Sequence, residues 1–208
     1  MEDILTVYSR PIDEKRPLVC LDEFAKQLLK DVTPTLCSRP GSIAKQDYEY
    51  IREGFASSFM LALPHLGKRE IFTSENGTHN ANDFAHAIKY LSDEVLPDAE
   101  KIVLVMDNLA THSTTSLYKA FPAEEARRLA DRLEIHYTPK HGSWLNMAEI
   151  EIGKINRCGF KERVGSISEF KSQIEAYLQR VNKSSTPINW LFKTKDARIK
   201  LKSLYPTF

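Results

Sequence analysis

Cysteine is scarce in this chain of 208 residues: Cys20, Cys37 and Cys158 are odd in number and far apart, without the paired spacing of a zinc site or disulfide framework. Reduced thiols are expected. No uninterrupted apolar run approaches a membrane span, and Met1 is followed by Glu2 and Asp3 rather than by a basic and apolar leader. These absences predict a cytoplasmic protein with no membrane partner. No glycine-rich phosphate loop follows any strand-like segment, and no Asp-x-Asp pair occurs, which sets aside a nucleotide-binding role. Repeats, linkers and low-complexity tracts are lacking as well.

What is present is an ordinary globular composition, 42% apolar and 27% charged, in a length that suits one sizeable core. The net charge of +1 hides a division. Residues 1–152 hold 17 basic and 24 acidic side chains, a balance of −7, whereas residues 153–208 hold 12 basic and 4 acidic, a balance of +8. A polyanion would favour the tail.

Periodicity supplies the elements. "RPLVCLDEF" (16–24) is a continuous apolar run suited to a strand buried on both faces. Segments 47–51, 55–63 and 68–73 predict further strands, with Gly54 and "PHLGK" as breaks, and together they suggest an antiparallel meander. "NANDFAHAIKYLSDEVL" (80–96) spaces Phe84, Ile88, Leu91 and Val95 for one helical face, with asparagines to cap it. A buried strand at 101–107, a helix at 122–133 opened by Pro122, and a short strand at 134–139 follow. "HGSW" turns into a helix over 145–160 capped by Ser143 or Asn146; a long helix over 168–182 and a short one near 195–203 close the chain. Strands first, then alternation, predict an α/β mixed sheet with helices on its faces and its chemistry at the carboxyl ends of strands.

Asp22 and Asp107 both fall at such ends. The run "VLVMDNLATHS" (103–113) breaks from apolar residues into Asp107 and Asn108, which a simple turn would also explain. Two carboxylates side by side need protons or cations to offset their repulsion, and Mg²⁺ or Mn²⁺ takes oxygen ligands and substrate phosphate together. A third carboxylate would let two ions clamp a phosphodiester. Glu149 and Glu151 are the candidates; two apart on a helix they diverge by about 200°, so only one faces the site. Spacing favours Glu149 slightly, with Glu151 solvated or paired to nearby cations.

"VCLDE", "IVLVMDNLATH", "EIHYTPKHGSWLNMAEIEI" and "DARIKLKSLYP" resemble the catalytic half of DDE transposases of the insertion-sequence 630 group, related to the mariner transposases. The resemblance covers nearly the whole chain. It implies a ribonuclease-H-like fold, three antiparallel strands followed by parallel ones, which agrees with the predicted element order. It also implies an Asp, Asp, Glu triad holding two Mg²⁺, falling on Asp22, Asp107 and Glu149, and hence the choice of Glu149 over Glu151 and of Asp22 over Glu23. The implied reaction is cleavage at element ends and strand transfer into target DNA, in a bacterial, nucleoid-associated setting. Such transposases usually carry helix-turn-helix modules ahead of the catalytic domain, while Met1 lies only about twenty residues before the first strand. The expectation is a single catalytic domain over 1–208 with a basic extension from about 184, an upstream helix-turn-helix partner chain, and a possible homodimer. A ribonuclease-H-like resolvase and a non-catalytic assembly subunit are the competing readings.

Other residues carry weaker signals. Lys140 and His141 precede the catalytic helix, and Arg198 and Lys200 lie in the basic tail; all four are expected along the DNA backbone. Trp190, Phe192 and Tyr205 read as core packing. His112 could orient Asp107 or contact phosphate, but a loop histidine bonding the backbone is the commoner state, so it is left outside the catalytic set. Asp83 and His86, one turn apart, read as a helix cap and a surface residue rather than metal ligands.

Overall fold

A computed structural model describes residues 1–34, 36–160 and 162–205. Helix α1 (Glu2–Tyr8) precedes β1 (Leu18–Asp31), β2 (Tyr50–Leu63) and β3 (Lys68–Phe72). Then come α2 (Ala81–Tyr90), β4 (Ile102–Met106), α3 (Thr114–Ala120), α4 (Ala123–Asp131) and β5 (Leu133–Tyr137). The chain closes through α5 (Ala148–Cys158), α6 (Ile167–Asn182) and α7 (Thr194–Lys200). The five strands form one mixed sheet in the order β3-β2-β1-β4-β5, antiparallel among the first three and parallel from β1 through β4 to β5. This is the expected α/β sheet flanked by helices.

Strand alternation divides the core into two layers. Leu18, Cys20, Met60, Ala62, Val103 and Val105 point to the face covered by α1, α5, α6 and α7. Val19, Leu21, Phe59, Leu61, Ile102, Leu104 and Met106 point to the face covered by α2, α3 and α4. Continuing the alternation, Asp22 projects on the α5 face, where Asn146 meets it, and Glu23 on the α2 face, where His112 meets it.

Three features depart from the sequence reading. Residues 47–51 and 55–63 are not two strands: β2 is continuous, and Gly54, at φ 95°, lies where the β1 register shifts between Gln27 and Leu29. Glycine there admits a bulge, not a break. The helix over 80–96 is α2 up to Tyr90 and then a wider turn over Leu91–Val95, which explains why Val95 leaves the buried stripe. Helices α1 and α3, seven residues each, were not anticipated because two turns give too little periodicity. α1 nonetheless buries Ile4, Leu5, Val7 and Tyr8, and Tyr8 Oη donates to the Leu145 carbonyl at 2.6 Å.

Two caps explain local starts. Asn80 and Asp83 form a reciprocal capping box on α2, so Asp83 is a cap, and His86 is exposed. Asn146 Oδ1 accepts from the Ala148 amide at 3.1 Å, and thereby caps α5 from the 3₁₀ turn Ser143–Leu145. At the far end α7 is fastened to α1, with Arg198 Nε and Nη2 each 2.8 Å from the Glu2 carboxylate and Tyr205 Oη at 3.0 Å. Trp190 and Phe192 pack against the core, as expected. Among the described residues no helix is long and apolar enough to cross a membrane.

Candidate active site

Leu18, Val19 and Cys20 of β1 pair with Val103, Leu104 and Val105 of β4, and Asp22 and Asp107 each follow two residues beyond the last of these pairs. Asp107 follows the end of β4, but Asp22 does not end its strand as the sequence reading expects: β1 runs on to Asp31, because it continues to pair with β2 after it leaves β4. Adjacent strands run about 4.8 Å apart, close enough for the carboxylates to feel each other strongly. Asp22 records this: burial pushes its carboxyl up from 3.8 to about 6, and the negative charges of Glu149, Asp107 and Glu23 add to the rise, against a backbone bond from Glu23. Glu149, in the first turn of α5, thus lies within electrostatic reach of Asp22, while its own side chain is exposed.

Neutral donors hold Asp22 in place. Its Oδ1 accepts from the Glu23 amide at 2.8 Å, and its Oδ2 from Asn146 Nδ2 at 3.1 Å. Asn146 is buried and also donates to the Leu21 carbonyl at 2.8 Å, which ties β1, where it parts from β4, to the start of α5.

His112 is not the backbone-bonded loop residue the sequence suggested. Its ring is 1% exposed, packed 4.9 Å from the Phe84 centroid, and it bridges two carboxylates. Nδ1 lies 2.5 Å from Asp107 Oδ1, and Nε2 lies 3.0 Å from Glu23 Oε1. Burial pulls the imidazole pKa down, but the Glu23 and Asp107 charges outweigh it and the net shift is upward. The Tyr137 hydroxyl donates to the His112 carbonyl at 3.1 Å and pins the loop. Only the closeness of His112 to Asp107 in "DNLATH" hinted at this; no sequence signal linked it to Glu23.

Glu151 is not solvated. Its side chain is 1% exposed and meets Arg69 of β3 at 2.8 Å and Lys154 at 2.8 Å, so the alternative of pairing with cations is the observed one. Arg69 comes from 82 positions earlier in the chain, out of reach of any local pattern.

The donor set at Asp22, Asp107 and Glu149 is all oxygen, the chemistry a hard dication selects. Among the described residues no three His, Cys, Asp or Glu side chains converge on one point as a ready ion cage.

The expected DNA-contacting residues divide. Lys140 and His141 are exposed in the loop before the 3₁₀ turn, with His141 in the left-handed region at φ 61°. Lys200 Nζ lies 6.0 Å over the Phe192 ring, which also meets Trp144 at 5.8 Å, so aromatic packing joins the 3₁₀ turn to the segment leading into α7. Arg198 is engaged by Glu2.

A family model described as DDE superfamily endonuclease matches residues 17–171. No curated protein sequence matches the chain significantly. Among solved structures, the Mos1 transposase paired-end complex with the left transposon end aligns at TM-score 0.56 and 14% identity, covering 86% of this chain and 52% of that one. The Mos1 mariner paired-end complexes with Mn and with Mg align at 0.54 and 0.53, each at 14% identity, covering 88% of this chain and 56% of theirs. The chain therefore spans about half the length of the solved structures it matches, and at this identity the likeness shows the fold. The family match covers well over half the chain, and the protein belongs to the DDE superfamily endonucleases.

Proposed function

We propose that this chain is the catalytic part of a transposase of the insertion-sequence 630 group, cutting DNA at the ends of a mobile element and joining the freed strand to target DNA. The observation that carries the reading is the concentration of negative charge at Asp22, to which Asp107 and Glu149 contribute from β4 and α5. A site built to attract dications, which in turn would hold a phosphate, has reason to hold such charge; a core does not. The family match and the mariner-like fold support the same reading.

Asp22, Asp107 and Glu149 would hold Mg²⁺, with Mn²⁺ as a substitute, and the all-oxygen set fits either ion. When bound, the ions supply charge stabilisation at the phosphodiester oxygens and a more acidic attacking water. The chain's own residues do the rest. Asn146 fixes the Asp22 rotamer, and His112 fixes Asp107. Glu149, with no ion-pair partner among the described residues, retains the freedom to turn inward. Lys140, His141 and Lys200 are assigned to the DNA backbone, whereas Arg198, held by both oxygens of Glu2, is assigned to fastening α7 to α1. Recognition of specific element ends is assigned to a helix-turn-helix segment upstream or on another chain, and pairing of two ends to a second copy of this one.

The test is nicking of supercoiled plasmid, followed by joining of a duplex with a pre-cut 3′ hydroxyl. Nicking with Mg²⁺ or Mn²⁺ but not Ca²⁺, lost in Asp107→Asn, is the predicted result. Nicking that persists in Asp107→Asn would overturn the site, and nicking without joining would leave a resolvase-type nuclease instead.

A further inference from the structure

Glu151 is buried without being part of the carboxylate site, and its partner Arg69 is nearly as buried, at 7% side-chain exposure. Such a pair is weak as a source of stability. The desolvation of two charges roughly offsets their attraction, and apolar residues of similar size often serve as well or better. The pair therefore calls for a role other than adhesion.

Helix geometry supplies one. The sheet-facing stripe of α5 is Ala148, Ile152 and Ile155. At about 100° per residue, Glu151 lies about 70° to one side of that stripe and Glu149 about 90° to the other. Glu151 reaches toward the edge strand β3, where Arg69 projects from the α5 face of the sheet opposite Ala62. Glu149, on the opposite side of the stripe, is thereby turned away from the edge strand and toward the inner strands β1 and β4. The apolar stripe alone fixes this poorly, because aliphatic contacts are non-directional and Ala148 is small. Charge attraction to a rigid partner holds Glu151 on that side, with Arg69 Nε 2.8 Å from Glu151 Oε2 although the two are not aligned as a hydrogen bond. Arg69 is rigid: its amide donates to Asn182 Oδ1 at 3.1 Å, Asn182 Nδ2 donates back to its carbonyl at 2.8 Å, and its Nη1 lies 3.4 Å from the Val181 carbonyl.

We propose that Arg69 and Glu151 are positioning residues whose buried ion pair sets the roll of α5 about its axis and so aims Glu149 at Asp22. The functional half of this statement rests on the transposase reading above; the structural half does not. A roll of about 10° moves a group about 5–6 Å from a helix axis by about 1 Å. A misplacement of that size can cost about a hundredfold in rate.

The experiment uses the double variant Arg69→Met with Glu151→Met, which removes both charges and leaves no buried orphan, beside Glu151→Gln, which does leave one. Residual dipolar couplings of the α5 amides report the helix roll directly, without reference to activity. The double variant should melt within a few degrees of the parent or above it, show α5 rolled by about 10° or more, and lose about tenfold or more in kcat for nicking while KM for DNA is unchanged. Glu151→Gln should melt lower. Unchanged dipolar couplings in the folded double variant would overturn the proposal, as would a rolled helix with full kcat. A rolled helix in a protein whose parent form never nicks DNA would keep the structural claim and refute the transposase reading instead.

Discussion

Asn146 donates to Asp22 Oδ2 at 3.1 Å and, through the same nitrogen, to the carbonyl of Leu21 at 2.8 Å. One buried amide therefore locks the last turn before α5 onto β1 at Leu21 and Asp22, and its oxygen accepts from the Ala148 amide in the first turn of α5. Asn146→Ala strips two donors and one acceptor from a buried position. It should cost about 1–3 kcal/mol in a urea melt and lower the nicking rate by more than the unfolded fraction explains. A variant with full activity would show that Asp22 needs no such support.

His112 joins Glu23 to Asp107 from beneath, with its ring against Phe84 and Phe59. His112→Phe keeps the packing and deletes both bonds. It should remain folded while its response to Mg²⁺ in the nicking assay shifts to concentrations about 10–100-fold higher, the usual cost of losing a group that orients a metal ligand. An unchanged Mg²⁺ dependence would reduce His112 to core packing.

Asp107 was legible because it follows a buried strand at the carboxyl edge of the parallel pair, where side chains leave the core; Asp22 was legible only as a break in an apolar run, since β1 continues past it to Asp31. The mixed sheet was legible because strand and helix periods differ. The partners of those carboxylates were not legible. His112 reaches Glu23 across 89 positions and Asn146 reaches Asp22 across 124, distances that no local period spans. Glu151 misled because a glutamate beside Lys154 on a helix reads as solvated; its burial depends on Arg69, brought over by an edge strand. Gly54 misled because bulge and break draw on the same glycine chemistry.

Acid should weaken the fold through surface carboxylates. Bonds from Arg128 and Lys89 hold Glu125 down from 4.5 to about 2, and bonds from Arg10 and His136 do the same for Glu134. Their folded values lie below the unfolded one, so their contribution is present above pH 4.5 and is lost as pH falls toward 2. The pairs are partly solvated, so each is worth about 0–1 kcal/mol. Denaturant midpoints should fall between pH 5 and pH 3, and less steeply in Glu125→Gln; identical slopes would contradict the assignment.

Gly67 closes the turn between β2 and β3 at φ 62°, and a Cβ there would stand 2.4 Å from the Thr186 carbonyl carbon. The tail lies against this turn through Ser185 Oγ, which donates to the Leu66 carbonyl at 2.6 Å, and the Ile188 amide, which donates to Pro64 at 2.9 Å. Gly67→Ala should lower stability by about 1–3 kcal/mol and raise protease cutting near residue 186. A neutral substitution would mean the tail does not dock there.

The central claim is that Asp22, Asp107 and Glu149 share divalent ions. Its most direct measurement is Mn²⁺ titration of the protein by electron paramagnetic resonance, which needs no DNA. Saturable Mn²⁺ binding that Mg²⁺ displaces, and that Asp107→Asn and Glu149→Gln each weaken without unfolding the chain, is the predicted result. Binding that is absent, or that neither substitution changes, would contradict it.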